Sequence, residues 1–415
     1  MVAKQYDWLN GATLEDHSRR KHKILREYIF KYLNVRCQTP QQEKFRLAIV
    51  DGFAGGGRYK CGEAGSPILF IEELEKALNA VNLHRASQDL GTIEVECLLL
   101  FNDADPDVIE LLRSNCAPVQ AACSQNTPKL HLQVQYLCDP FEVAYPKIKA
   151  LLKQGRYKSI LFNLDQCGHK HVERATLVDI MHLSNSIEIF YTFAIAPLLS
   201  FLSKSEPERL DVQLRHLQMS QADLNKLTGE MSNNSWLGTA ERLVFGNFNN
   251  CAPYVSPFSI RNPEGWRYWL IHFANSYRAR QVYNNILHDN ASSQAHFGRS
   301  GLNMLSYDPS HDDSALYLFD VSGREDARQQ LFNDIPRLVS DCGDVLGVEE
   351  FYEGIYNLTP AHKDDIHSAI AENPDLEVVT PSGGERRKAN TIGVGDVIKL
   401  KKQQSFFPMF LRQPE

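Results

Sequence analysis

The sequence has no CxxC pair, no uninterrupted apolar run of membrane-spanning length and no excess of positive charge. Each absence removes a class of function. Nine cysteines lie scattered from Cys37 to Cys342. Their odd number and lack of pairing predict reduced, mostly buried thiols, a cytoplasmic setting and no disulfide framework. A structural zinc site needs pairs of Cys or His at knuckle spacing, and none is present, so no metal is expected. His169 and His171, just after Gly168, lack a second ligand pair. The longest apolar stretch, residues 187–203, contains Glu188 and is broken at Pro197. It reads as a buried strand followed by a helix rather than a membrane span. The opening residues carry no apolar core behind a basic stretch, and no signal peptide is expected. A formal net charge of -7 excludes a protein that coats nucleic acid over its whole surface, so any such contact must be a local patch.

What is present is a long alternation of short apolar strands with helices. The 415 residues leave room for two domains. Ile24, Leu25, Tyr28, Ile29, Tyr32 and Leu33 recur at helical spacing and predict a helix over 17–34, whose stripe continues backwards to Lys21 and His17. Buried strands are expected at 45–50, 95–101, 130–137, 159–164 and 187–193. The helices between them are expected at 68–80 (Ser66 as N-cap, Pro67 as first helical residue), 106–115 and 144–154. That order means a mostly parallel, Rossmann-like α/β sheet with right-handed crossovers. Residues 204–250 look like a helical insertion, and 254–260 with 268–273 like an antiparallel hairpin closing the sheet edge. The first domain is therefore expected to span 1–305, followed by a linker and connecting strand at 306–324. Residues 325–415 show three helical patterns and a two-stranded wing, the order of a winged helix-turn-helix.

Ligands of open parallel sheets bind beyond the carboxyl ends of the strands, and four such ends carry Asp51, Asp103, Asp139 and Asp165. In Asp51-Gly-Phe-Ala-Gly-Gly-Gly57, Gly55 and Gly57 let the backbone bend beneath a ligand where a side chain would collide. A dinucleotide site would want a third glycine where Lys60 stands, and no acid where a pyrophosphate must approach. S-adenosylmethionine has no phosphate and carries an ammonium group, so an acid at 51 suits it. Asp103 is expected to accept from the ribose hydroxyls, leaving Asp105 to cap the next helix. Asp139 would accept from the adenine amino group, Phe141 would stack on the ring, and Phe53 would form a wall. Asp165, ending the fourth strand, would hold or deprotonate an attacking amine or hydroxyl, with Lys21 and His17 reaching the mouth of the site. Methyl transfer is a direct displacement that needs alignment and exclusion of water. Cys167 could serve as a covalent nucleophile, although an inert cysteine is the usual case.

With these residues placed, the chain resembles the three-Cys-motif partner family, a set of methyltransferase-like bacterial proteins. The resemblance covers nearly the whole length. It rests on Trp8, on His17-Ser18 and Lys21-His22, on Asp51-Gly-Phe-Ala-Gly55, on Gly65-Ser66-Pro67, on Asp165 with Gly168, and on the winged-helix-like tail. It implies a class I S-adenosylmethionine-binding fold and a possible protein partner from a neighbouring gene. One departure stands out: members tend to read Asp-Pro-aromatic-Gly where this chain has Asp165-Gln166-Cys167-Gly168. The expected function is methyl transfer to nucleic acid, DNA or RNA, with Lys363, Arg386, Arg387 and Lys388 of the tail on the phosphate backbone. The alternative is a protein that binds the cofactor without transferring its methyl group and docks a partner protein through the tail.

Overall fold

Strand β1 (Lys44–Asp51) is fully buried from Leu47 to Asp51 because it has parallel neighbours on both sides, β2 (Glu94–Asp103) and β4 (Ser159–Leu164). A strand covered on both faces must be apolar nearly throughout, and the acid comes only at its last residue. We describe a computed structural model, covering residues 6–202, 207–227, 233–261, 267–290, 293–296, 302 and 316–401. It divides into two compact units, Met1–Ala295 and His296–Glu415.

In the first unit β3 (Leu130–Cys138) extends the parallel sheet beyond β2, and β5 (Ser186–Phe193) extends it beyond β4. The antiparallel pair follows, with β7 (Arg267–Ala274) against β5 and β6 (Tyr254–Arg261) outside it. A short strand, β8 (Ser293–His296), then pairs with β6, so the order is β3-β2-β1-β4-β5-β7-β6-β8. The turn expected between β6 and β7 lies at 262–266, outside the described residues. Chain direction along the sheet reverses its order between β1 and β4, which opens a crevice at their carboxyl ends.

The helices differ from the sequence expectation in their ends. Helix α1 (Asp16–Arg36) buries His17, Ser18, Lys21 and His22 along with the apolar stripe, so its N-terminal turns are not a solvated end. Helix α2 (Ser66–Ala86) takes Gly65 as its N-cap and makes Ser66 its first residue, one place earlier than expected. Helix α3 (Pro106–Asn126) continues eleven residues past Asn115, through Pro118, because Cys116 and Cys123 are buried against the unit and hold the extra turns down. Its N-cap is Asp105, whose carboxylate accepts from Asp107 N at 2.9 Å and Val108 N at 3.4 Å. Helices α4 (Phe141–Gln154), α5 (Arg174–Met181) and α6 (Ile195–Phe201) complete the layers. The insertion forms α7 (Pro207–Leu214), α8 (Gln221–Asn225) and α9 (Asn233–Asn249), and α10 (Tyr277–Asn290) follows β7.

The second unit holds a short strand, β9 (Leu316–Leu318), and helix α11 (Val321–Asp341), capped by Asp320 accepting from Gly323 N at 2.8 Å. Residues 306–315 of the expected linker lie outside the described residues, and its last residues already belong to α11. Strand β10 (Val345–Gly347), helices α12 (Val348–Ile355) and α13 (Lys363–Ala371), and strands β11 (Leu376–Val379), β12 (Glu385–Arg386) and β13 (Val397–Leu400) follow. The sheet is antiparallel in the order β10-β13-β11-β12. Among the described residues no helix is long and apolar enough to cross a membrane.

Candidate functional site

The chain leaves β1 at Asp51 and passes six glycines, Gly52, Gly55, Gly56, Gly57, Gly62 and Gly65, before α2. Gly55 and Gly57 have φ of 62° and 79°, values that strain any residue with a Cβ. The reason for small residues is partly internal: a Cβ on Gly57 would meet Leu112 of α3 at 2.7 Å, and one on Gly52 would meet Leu164 at 2.7 Å and Phe141 at 2.8 Å. Packing against α3 is thus a second reason for glycine at 57, beside its positive φ. Asn102, not singled out by the sequence, ties the turn down. Its backbone carbonyl accepts from Ala54 N at 2.8 Å, and its side-chain amide donates to Gly52 O at 3.1 Å and Asp139 O at 2.9 Å.

Two carboxylates meet at this turn. Asp103 accepts from Gly55 N at 3.0 Å through one oxygen and from Asp105 N at 3.2 Å through the other. Burial raises its pKa, and these amides oppose the rise. Asp51 is wholly buried, accepts from Phe53 N at 3.3 Å, and has its second oxygen, Oδ2, without a hydrogen-bond partner. Burial pushes its pKa up to about 7, against the opposing influence of Ser66, Asn163 and the Phe53 amide. An unpartnered buried carboxylate oxygen costs on the order of 1–3 kcal/mol, and an incoming cationic donor would remove that cost.

Asp165 directly follows β4 beside this turn, and it is not a lone acid awaiting a substrate. Lys21 Nζ donates to its Oδ1 at 2.5 Å, with the two side chains 9% and 28% exposed. Burial alone would raise the Asp165 pKa, but the charge and hydrogen bond of Lys21, with the Thr192 hydroxyl, hold it below the usual carboxylate range. A small pocket between α1 and the sheet is lined by Lys21, His22, Ser66, Asn163, Asp165 and Thr192, among others. His17 does not touch Asp165. Its ring stacks on Tyr268 at 4.7 Å, and burial with the nearby Lys21 charge lowers its pKa to about 4, so it is neutral. His22 is lowered to about 4 for the same reasons. The expected basic end of α1 is therefore one lysine, already paired. Burial raises the Cys167 thiol to about 11, which leaves it protonated and a poor nucleophile at neutral pH.

The remaining expectations divide. Phe53 is partly buried and packs its ring 5.7 Å from Phe141. Phe141 is only 3% exposed and sits in the core beneath Gly52, so it offers no free face for stacking. Asp139 is half-buried at the β3–α4 corner. Among the described residues no group of three His, Cys, Asp or Glu could hold a metal ion. In the second unit Arg386 is committed to Asp396, donating at 3.0 Å to a carboxylate only 2% exposed. Arg387 is 84% exposed, Lys388 is exposed, and Lys363 is half-buried at the start of α13. His362 caps α13 through Nδ1, and His367 is buried against Tyr352. No protein-family model matches the chain, and no curated protein matches it.

Proposed function

We propose that the first unit binds S-adenosylmethionine and that the chain is a methyltransferase of the class I, Rossmann-like kind. The observation that carries the reading is Asp51. A buried carboxylate with an unpartnered oxygen, beside a glycine turn and one strand from Asp103, is a receptor for a cation joined to a hydroxyl-bearing sugar. Asp51 would neutralise the ammonium group, and Asp103 would accept from the ribose hydroxyls with lone pairs left by Gly55 and Asp105. Bound there, the cofactor supplies an electrophilic methyl group. The chain's own part is alignment: Lys21 fixes Asp165 at the end of β4, where the carboxylate can hold an acceptor's proton.

The proposed acceptor is nucleic acid, with the second unit read as a winged helix. Its most exposed cations are Lys388 and Arg387, the latter paired with Glu385 at the surface, since Arg386 is held by Asp396. A second reading, docking of a partner protein through this unit, has its own support. Residues 316–401 carry nine Asp and seven Glu against nine Lys and Arg, and phosphates are repelled by that balance. Calorimetric titration of the full chain with S-adenosylhomocysteine tests the cofactor reading. Binding is expected, weakened about tenfold or more in Asp103→Ala, in line with about 1–3 kcal/mol for unpaired polar groups. A folded wild-type protein that binds nothing would refute the reading.

A further inference from the structure

A tryptophan from outside the strand–turn–helix motif lies on the glycine turn. The segment Tyr6–Leu14 is tied there by Lys60 N donating to Ala12 O at 2.9 Å and by the Tyr6 hydroxyl bonded to Ser18 Oγ at 2.8 Å. Ala12, Leu14 and Tyr59 form a small buried cluster with Tyr6 and Trp8 packed on it, and the Trp8 and Tyr59 ring centres are 4.9 Å apart. The Trp8 indole rests on the turn itself. A Cβ on Gly55 would run into ring atoms Cζ2, Cε2 and Nε1, and one on Gly56 would meet Cε3 at 3.1 Å. Trp8 remains half-exposed, and among the described residues its Nε1–H donates to no acceptor.

An indole nitrogen is a donor only, and this one, on the open side of the turn, is free to donate to a bound ligand in place of water. The turn beneath it is flanked by two acids, Asp51 before it and Asp103 bonded to the Gly55 amide. Gly55 N is already committed to Asp103, and Asp51 and Asp103 can receive an ammonium and hydroxyls but cannot receive an anion. A zwitterionic ligand brings an α-carboxylate within two bonds of its ammonium carbon, and that carboxylate needs donors. We propose that Trp8 is a ligand-binding residue of this site, its indole N–H receiving the α-carboxylate of the amino-acid-bearing nucleoside whose ammonium Asp51 neutralises. The proposal rests on the cofactor reading above and adds to it a residue and a selectivity: the site prefers the intact amino acid to the corresponding amine.

The test compares two ligands on the full chain by calorimetry. One is S-adenosylhomocysteine, and the other is its decarboxylated analogue, which keeps the adenosine, the thioether and the amine. Wild type is expected to bind the carboxylate form about tenfold or more tightly, as for a hydrogen bond to a charged group. Trp8→Phe keeps a ring on Gly55 but loses the donor, so the preference should fall towards parity while the amine binds as before. Trp8→Ala removes ring and donor and should weaken both ligands. An unchanged preference in a folded Trp8→Phe protein overturns the proposal. So does a wild-type protein that binds both ligands equally, which would leave the cofactor reading standing. A wild type that binds neither removes both.

Discussion

On the cofactor reading proposed above, Asp51 would make ligand binding a titration. Its carboxyl is raised from 3.8 to about 7, first by burial, a rise of about three units and so about 4 kcal/mol at about 1.4 kcal/mol per unit. The folded state therefore holds this proton more tightly than the unfolded chain does. Its contribution to stability is complete below pH 4 and is lost as pH rises towards 7. His17 and His22, lowered to about 4 from 6.5, act in the opposite direction over part of the same window. The comparison must therefore be wild type against Asp51→Asn, in which only the Asp51 term changes. At pH 8 the asparagine protein should be the more stable by up to about 4 kcal/mol, less whatever its new amide loses for want of acceptors, and the advantage should shrink towards pH 5. Ligand affinity should move the other way. An ammonium selects the ionised carboxyl, so wild-type affinity for S-adenosylhomocysteine should fall about tenfold per pH unit below 7 and level off above it. The asparagine protein should bind weakly at every pH. Urea unfolding of the ligand-free proteins and calorimetric titration across pH 5.5–8.5 measure both (a range of about three units chosen to bracket the shift). Equal affinity at both ends, or an asparagine protein no more stable at the alkaline end, would refute the reasoning.

Lys21→Met strands the Asp165 charge. Because that side chain is 28% exposed, the loss should be about 1–3 kcal/mol rather than the larger cost of a fully buried pair, and Lys21→Met/Asp165→Asn should recover most of it in urea melts. Asp165→Ala should lower methyl transfer at least about a hundredfold with S-adenosylhomocysteine affinity little changed; transfer at the wild-type rate would place the acceptor elsewhere. Gly57→Ala forces a Cβ against Leu112 at a φ of 79° and should lose about 1–3 kcal/mol of stability as well as cofactor affinity, which thermal melts and calorimetry would show. In the second unit, Arg386→Ala should destabilise by about 1–2 kcal/mol by stranding Asp396. Arg387→Ala/Lys388→Ala should leave stability alone and, if the unit binds nucleic acid, reduce the salt slope of binding by up to about two contacts; salt-independent binding would favour the partner-docking reading.

The alternation of strands and helices was legible because strands covered on both faces must be largely apolar, as residues 47–50, 97–101 and 160–162 are. The strand-end acids and the glycine turn could be placed for the same reason, since a sheet of this kind leaves only its carboxyl edge open. Asp105 as the cap of α3 was equally local, a carboxylate two residues before amides that need an acceptor. What a side chain does once it reaches the site depended on partners far away in sequence. Lys21 and Asp165 are 144 residues apart, and their pairing turns an expected free acid into one half of an ion pair. Gly57 answers to Leu112 and Gly55 to Trp8, and Arg386 to a buried Asp396. Helix α3 runs past its expected end at Asn115, through Pro118, because buried cysteines hold the later turns in place. Local pattern fixes which backbone forms and which face is apolar, while charge pairing, close approach and burial are properties of neighbours that only the folded chain brings together.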